Sequence, residues 1–378
     1  MKEPKAKKVM QKILETSDVQ IDGNRPWDIR IHNPNFYERL LSGGSLALGE
    51  SYMDGWWDCD ALDQFFEKIL ENRLDRKITV NTIQFLWVML KAKIINAQKK
   101  SKAYIIGERH YDIGNNLFSV MLDKRLNYSC GYWEKAKTLD NAQEAKLDLI
   151  CQKMGLKSGM KVLDIGCGWG SFAKYASEKY GANIHGITVS REQMKFANKL
   201  CQGLDVKIEL KDYRALKRKF DRIVSIGMFE HVGCRNYRTF MKVVHQCLKE
   251  DGLFLLHTIA GNSSVNSTDP WINKYIFPNS MLPSAKQITS AAEGLFVIED
   301  WHGFGQYYDK TLMAWHNNFV KNWAKIKDKY DERFYRMWIY YLLSCAGSFR
   351  SRRNRLWQIV FSEKGIKGGY RYREQSLA

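Results

Sequence analysis

A bilayer-spanning helix takes about 20 consecutive apolar residues, and the longest apolar runs in this sequence, 83–90 and 338–343, stop well short of that. No membrane-crossing segment is expected. The first twelve residues carry the positive start of an export signal, but neither an apolar core nor a small-residue cleavage site follows. A cytoplasmic protein is therefore expected. The eight cysteines, at 59, 130, 151, 167, 201, 234, 247 and 345, include no CxxC pair and no paired zinc-knuckle spacing. They read as reduced, mostly structural thiols, and no metal site is expected. Internal repeats and low-complexity tracts are missing too. Acidic residues are in deficit: 41 Asp and Glu face 59 Lys and Arg, a formal net charge of +18. Such a surface suits a polyanion, either nucleic acid or an anionic membrane.

What remains is ordinary globular composition, 45% hydrophobic and 26% charged over 378 residues, which excludes wholesale disorder and fibrous repeats. The length suggests two domains, or one enlarged by insertions. Residues 36–69 mix turn formers (Ser42, Gly43, Gly44, Gly49) with aromatic and acidic residues and read as a small compact unit. Residues 83–95 are apolar almost all round, and Lys91, Lys93, Lys99, Lys100 and Lys102 arrive without an intervening acid. That order suits a helix resting on an anionic surface with lysine stems along its apolar flank. A buried helix followed by a solvated linker is the plainer alternative. The expected division is an N-terminal accessory domain over 1–90, a basic linker over 91–108 and a catalytic domain over 109–378.

From residue 160 onward, short β-rich runs alternate with helical segments, the pattern of an α/β fold with a parallel sheet and crossover helices. Seven strands are predicted, at 161–165, 183–188, 206–210, 222–226, 253–257, 296–299 and 356–361, with helices at 171–179, 191–201, 236–248 and 285–292.

The first of these strands runs into Gly166-Cys-Gly168-Trp-Gly170-Ser171. A dinucleotide site would show GxGxxG with an acid about twenty residues later. Here the pattern is GxGxG, and the acid, Asp164, precedes the first glycine. That favours S-adenosylmethionine, whose methionyl and ribose groups need a flat backbone wall and no phosphate cradle. The expected fold class is a Rossmann-like S-adenosylmethionine-dependent methyltransferase with a predominantly parallel seven-stranded sheet, plus a small N-terminal domain. The second strand ends without the usual ribose-binding acid, so Thr188 and Gln193 are expected to substitute. Asp212 is placed to accept from the adenine amino group, with Tyr213 beside it; a surface carboxylate is the lesser alternative.

The methyl acceptor is narrowed by absences. The fourth strand leads to Met228-Phe-Glu230-His231 where an enzyme acting on exocyclic base amines would carry (N/D)PP(Y/F), and no cysteine follows a proline as cytosine C5 chemistry would require. Nucleic acid recedes as substrate. Carboxylates just beyond a parallel strand lie in the ligand crevice of open α/β sheets, which singles out Glu230. By contrast, Cys130 reads by itself as a small buried hydrophobe, and His257 as a satisfied strand-end histidine.

Several stretches together resemble the bacterial cyclopropane-fatty-acyl-phospholipid synthases: His110 to Phe118, Tyr128 to Trp133, Val162 to Ser171, Gly227 to Gly233, Leu255 to Ile259, Trp271 to Pro278, and Glu299 to Trp301 through Leu312 to Trp315. The resemblance covers nearly the whole chain. Leu41 to Gly44 and Asp54 to Trp57 resemble the phospholipid-acting enzymes and not the shorter mycolic-acid cyclopropane synthases, which lack this unit.

Ring formation on a cis alkene passes through a carbocation that must lose a proton from the new methyl group. An apolar, aromatic pocket tolerates such a cation, and the chain holds 12 Trp, 19 Tyr and 18 Phe. The resemblance implies a bound bicarbonate as base, held by Cys130, Glu230, His257, the Ile259 backbone and Tyr308. It further implies cofactor contacts from Tyr128 and Ser129, from Asp164 with Gly166, Gly168 and Gly170, from Thr188 and Gln193, and from Asp212 and Tyr213. An acceptor inside a phospholipid tail implies peripheral docking on the inner face of the bacterial cytoplasmic membrane. The candidate basic clusters are Lys2 to Lys12, Lys91 to Lys102, and Arg350 with Arg352, Arg353 and Arg355. A homodimer is also implied.

Overall fold

A computed structural model describes residues 5–74 and 114–372. The apolar-then-basic stretch over 83–102 and the expected linker over 91–108 lie outside the described residues. The chain forms two compact units. One draws on described residues 5–74, 267–278 and 308–354, and the other on 114–266, 279–307 and 355–372. The expected catalytic domain was one continuous segment, yet two pieces of it cluster with the N-terminal residues.

In the larger unit a single sheet contains β1 (Lys161–Ile165), β2 (Asn183–Thr188), β3 (Val206–Leu210), β4 (Phe220–Ile226), β5 (Leu248–Gly261), β6 (Val297–Gly303) and β7 (Asn354–Ser362). Their order across the sheet is β3-β2-β1-β4-β5-β7-β6. The pairs β1/β2, β2/β3, β1/β4 and β4/β5 are parallel, and β6/β7 is antiparallel. This is the predominantly parallel, seven-stranded α/β fold expected from the sequence.

The longer helices of this unit include α1 (Leu139–Lys153), α2 (Ser171–Tyr180), α3 (Arg191–Leu200), α4 (Tyr237–Cys247) and α5 (Ala285–Ala292). Successive strand residues point to opposite faces. Val162 accordingly joins a core with Leu147 and Ile150 of α1 and Phe172 and Ala173 of α2. Its neighbour Leu163 joins a second core with Phe240 and Val244 of α4 and Ile288 of α5. Helices therefore cover both faces, which is why the inner strands read as near-continuous apolar runs. The strand order reverses between β1 and β4, and the carboxyl ends there open the crevice where ligands bind in such sheets.

The smaller unit is aromatic and helical. Its helix Phe36–Met53 is kinked at Gly44, whose φ of 56 breaks the helical run. Helix Leu62–Glu71 follows, and α6 (Gln306–Asn322) contributes from Tyr308 onward together with α7 (Glu332–Arg350). Tyr340 of α7 packs on Tyr52, Phe66 and Trp271 with ring centroids 5.6, 5.2 and 4.5 Å away. A Cβ on Gly347 would stand 2.5 Å from the Asp63 carbonyl oxygen, so glycine lets α7 and Leu62–Glu71 touch backbone to backbone. Arg350, expected in a membrane-docking cluster, instead pairs with Asp63 at 2.8 Å, Glu67 at 3.2 Å and Asp309 at 2.8 Å. That guanidinium is committed inside its own unit.

Candidate active site

At the end of β1 the chain turns through Gly166, Gly168 and Gly170 with φ of 82, 54 and 84. A Cβ at Gly166 would lie 2.6 Å from Met228 Cγ, whereas one at Gly168 would meet nothing within 4 Å. The first glycine is required by close packing, and the second presents an open stretch of backbone. The Gly166 and Cys167 amides donate to Ile187 O at 2.9 and 3.0 Å, tying this loop to β2. Asp164, inside β1, is buried, and neither carboxylate oxygen has a hydrogen-bond partner among the described residues. Burial raises its pKa to about 7 against the opposing pull of Lys146. A buried acceptor of this kind calls for a donor from a ligand or an ordered water.

Tyr128, Ser129 and Cys130 lie on a segment held by α1. Gln143 Nε2 donates to Ser129 O at 2.7 Å, and Lys146 Nζ donates to Asn127 Oδ1 at 2.9 Å and Ser129 Oγ at 3.0 Å. Three residues apart, the two side chains share one helix face. Asp123 accepts from the Asn127 backbone and side-chain amides at 2.7 and 2.9 Å. Ser171, at the start of α2, donates to Asn127 Oδ1 at 2.8 Å. Lys146 is fully buried, and burial lowers its pKa to about 8. Cys130 is buried, its thiol 3.2 Å from Gly131 O. The Tyr128 ring meets Phe118 edge-on at 5.1 Å. Sequence reasoning missed Gln143 and Lys146. Their signal was two long polar side chains on the same stripe as Leu147 and Ile150.

Thr188 Oγ1 donates to Gln193 Oε1 at 2.8 Å and accepts from Ser190 N at 3.1 Å, so these two predicted residues are brought together and buried at the end of β2. Asp212 is buried and caps a short turn, accepting from Arg214 N at 2.9 Å and pairing with its guanidinium at 3.5 Å. Tyr213 OH accepts from Arg214 Nε at 3.2 Å.

Glu230 sits in the turn Phe229–His231 after β4, and Oε1 accepts from Ile259 N on β5 at 2.6 Å. Its Oε2 is buried with no partner among the described residues. Burial raises the carboxyl to about 7. His257 lies two residues earlier on β5, is 1% exposed, and has Nδ1 3.2 Å from Gln358 Nε2. Its Nε2 has no partner among the described residues, and burial, reinforced by Lys146 and Lys153, lowers its pKa well below the usual imidazole value. The Gly227 amide donates to His257 O at 2.9 Å, and a Cβ on Gly227 would lie 3.9 Å from Ser129 Cβ. Glu230, His257, Ile259 and the Ser129–Cys130 segment thus converge beside the β1/β4 reversal. Tyr308 belongs to the smaller unit, where its ring stacks on Phe349 at 4.5 Å and meets Trp315 edge-on at 6.0 Å.

The family model for mycolic acid cyclopropane synthetase matches residues 98–359. The chain belongs to that family. As a family member it is 52% identical over 364 residues to the cyclopropane-fatty-acyl-phospholipid synthase of Escherichia coli (strain K12), a match spanning 96% of this chain and 95% of that one. It is 36% identical over 264 residues to a probable fatty acid methyltransferase of Pseudomonas putida, spanning 66% and 67% of the two chains. The crystal structure of mycolic acid cyclopropane synthase CmaA1 complexed with SAH and CTAB superposes with a TM-score of 0.64 at 32% identity, covering 68% of this chain and 97% of that one. The resemblance read from the motifs is therefore real, and the chain is a methyltransferase of the cyclopropane synthase family. Among the described residues, no helix is long and apolar enough to cross a membrane.

Proposed function

We propose that this enzyme transfers a methylene group from S-adenosylmethionine to the cis double bond of unsaturated acyl chains in membrane phospholipids, forming a cyclopropane ring. The observation that carries the reading is the pair of buried polar atoms, Glu230 Oε2 and His257 Nε2, both without partners among the described residues and both anchored to one strand end. S-adenosylmethionine, when bound, supplies an electrophilic methyl group on a sulfonium. The open backbone at Gly168 and the buried carboxylate of Asp164 suit its methionyl part, the latter as acceptor for an ammonium. Tyr128, Ser129, Gly166, Gly170, Thr188, Gln193, Asp212 and Tyr213 complete the proposed cofactor wall.

Bicarbonate, when bound, supplies a base that does not capture the carbocation. Glu230, Cys130, His257 and the Ile259 backbone would hold it. With its carboxyl raised to about 7, Glu230 is partly protonated at neutral pH and can donate from Oε2 to an anion. A neutral His257 can donate one N–H to the same anion. The acyl tail is reached by peripheral docking on the inner face of the cytoplasmic membrane. The net charge of +18 supports attraction to anionic lipid. The working form is a homodimer that doubles the membrane contact, with no nucleic-acid partner.

Incubation with a labelled methyl donor and unsaturated phosphatidylglycerol vesicles should yield lipid heavier by one methylene group per modified chain and resistant to hydrogenation. A heavier lipid that still takes up hydrogen would favour a second reading, a fatty-acid C-methyltransferase without ring closure. The probable fatty acid methyltransferase of Pseudomonas putida in the same family supports keeping that alternative. Methylated nucleic acid without a lipid product would overturn both.

A further inference from the structure

We propose that Gln358 is a positioning residue that fixes His257 as the Nε2–H tautomer, so that the imidazole's single proton faces the anion site beside Glu230. The proposal rests on the reading of that site as an anion receptor. Gln358 lies on β7, next to β5 in the sheet, is completely buried, and interrupts an otherwise apolar face that it shares with Leu356 and Val360. Its Nε2 is 3.2 Å from His257 Nδ1. A neutral imidazole has one N–H, and the partner of one nitrogen decides which nitrogen carries it. An amide N–H directed at Nδ1 makes Nδ1 the acceptor and leaves the proton on Nε2. That nitrogen is buried and otherwise unpartnered among the described residues.

The surroundings keep the ring neutral. Lys146 and Lys153, both on α1, present positive charge to His257, and Phe304 meets its ring at 5.9 Å. His302 of β6 lies opposite Gln358 in the strand register and has Nδ1 3.1 Å from Lys153 Nζ, while Lys153 also pairs with Asp300 at 3.1 Å. No carboxylate hydrogen-bonds to His257 among the described residues; Glu230 is bonded to Ile259 instead. An imidazolium would need an acceptor at Nδ1, and the amide N–H is a donor. Glutamine therefore does at this position what glutamate and leucine cannot. A carboxylate would draw the proton to Nδ1 or charge the ring, and an apolar side chain would leave the tautomer unfixed.

The test is nitrogen-15 spectroscopy of the histidine-labelled full chain, with His257 assigned by the signal lost in His257→Gln. The wild type should show a protonated Nε2 and an unprotonated Nδ1, and an Nδ1–H signal there would overturn the proposal without any variant. Gln358→Glu should move the proton to Nδ1 or protonate both nitrogens, and Gln358→Leu should give a mixture. Turnover in both should fall about 10-fold or more, with the KM for S-adenosylmethionine within twofold, as when the outer partner of a working histidine is lost. Unchanged tautomer signals in folded variants would also overturn it. If wild-type turnover proves independent of added bicarbonate while the tautomer is as stated, the anion reading fails and the positioning of His257 by Gln358 stands.

Discussion

Glu230 owes its properties to burial: with Oε1 fixed on Ile259 N and Oε2 without a partner among the described residues, its carboxyl is raised to about 7. Replacing it by Gln keeps the shape and the Oε1 contact but removes the proton that shifts. Glu230→Gln should bind S-adenosylmethionine as the wild type does by calorimetry, yet lose roughly 100-fold or more in turnover, the usual scale for a residue handling a proton. The same shift predicts a pH dependence of folding. Between the unfolded value near 4.5 and the folded value of about 7, the native state holds a proton that the unfolded chain has lost. The stabilisation is thus complete below the lower value and disappears as pH rises through the upper one, at about 1.4 kcal/mol per pH unit for each such proton. Asp164, raised to about 7 from 3.8, acts in the same direction. Urea midpoints of the ligand-free protein between those limits should show this slope, and Glu230→Gln should remove only the part due to Glu230.

Among the elements, α1 and the α7 contact with Leu62–Glu71 are the informative ones. Helix α1 carries Gln143 and Lys146 under the segment that holds Tyr128, Ser129 and Cys130. Lys146→Met should therefore weaken S-adenosylmethionine binding by calorimetry, because Ser129 Oγ loses its buried donor and Asn127 Oδ1 is left with Ser171 alone, at a cost of about 1–3 kcal/mol. The α7 crossing depends on a missing side chain. With Asp63 O only 2.5 Å from where a Cβ would sit, Gly347→Val must push the two helices apart and should cost about 1–3 kcal/mol, read as a lower thermal midpoint. The strands were legible in the sequence because buried parallel strands are dense in Val, Ile and Leu, and four of the seven begin or end where the pattern placed them. Helix α7 was not, since its apolar run at 338–343 is buried on nearly all sides and shows little of the period that marks a half-exposed helix.

At the scale of the molecule, the smaller unit is assembled from three separated segments. Removing residues 1–74 would uncover Tyr340 and Trp271, which pack on Tyr52, Phe66 and Met53 in the intact chain. The truncated protein should aggregate in size-exclusion chromatography with light scattering, and a monodisperse product would contradict that packing. The excess of positive charge predicts salt-sensitive binding to anionic vesicles. Raising salt from about 0.1 M to 1 M shortens the screening length from about 10 Å to about 3 Å and should release most of the protein in a flotation assay. The side chain of Arg350 should contribute little to that binding, because three carboxylates already neutralise it.

The sequence by itself determined the alternating α/β architecture and the glycine turn after β1, because periodicity and glycine φ are local properties of the chain. It also carried the family, through motifs short enough to read residue by residue. Only the tertiary structure decided which polar groups stand unpaired inside the core, and that Gln358 meets His257 from 101 residues away. It likewise decided that Gln143 and Lys146 hold the segment of Asn127 and Ser129 and that Arg350 pairs with carboxylates of its own unit. Such pairings depend on which strands become neighbours, and strand order is fixed by the packing of both helix layers on the sheet, a long-range outcome that no local pattern encodes.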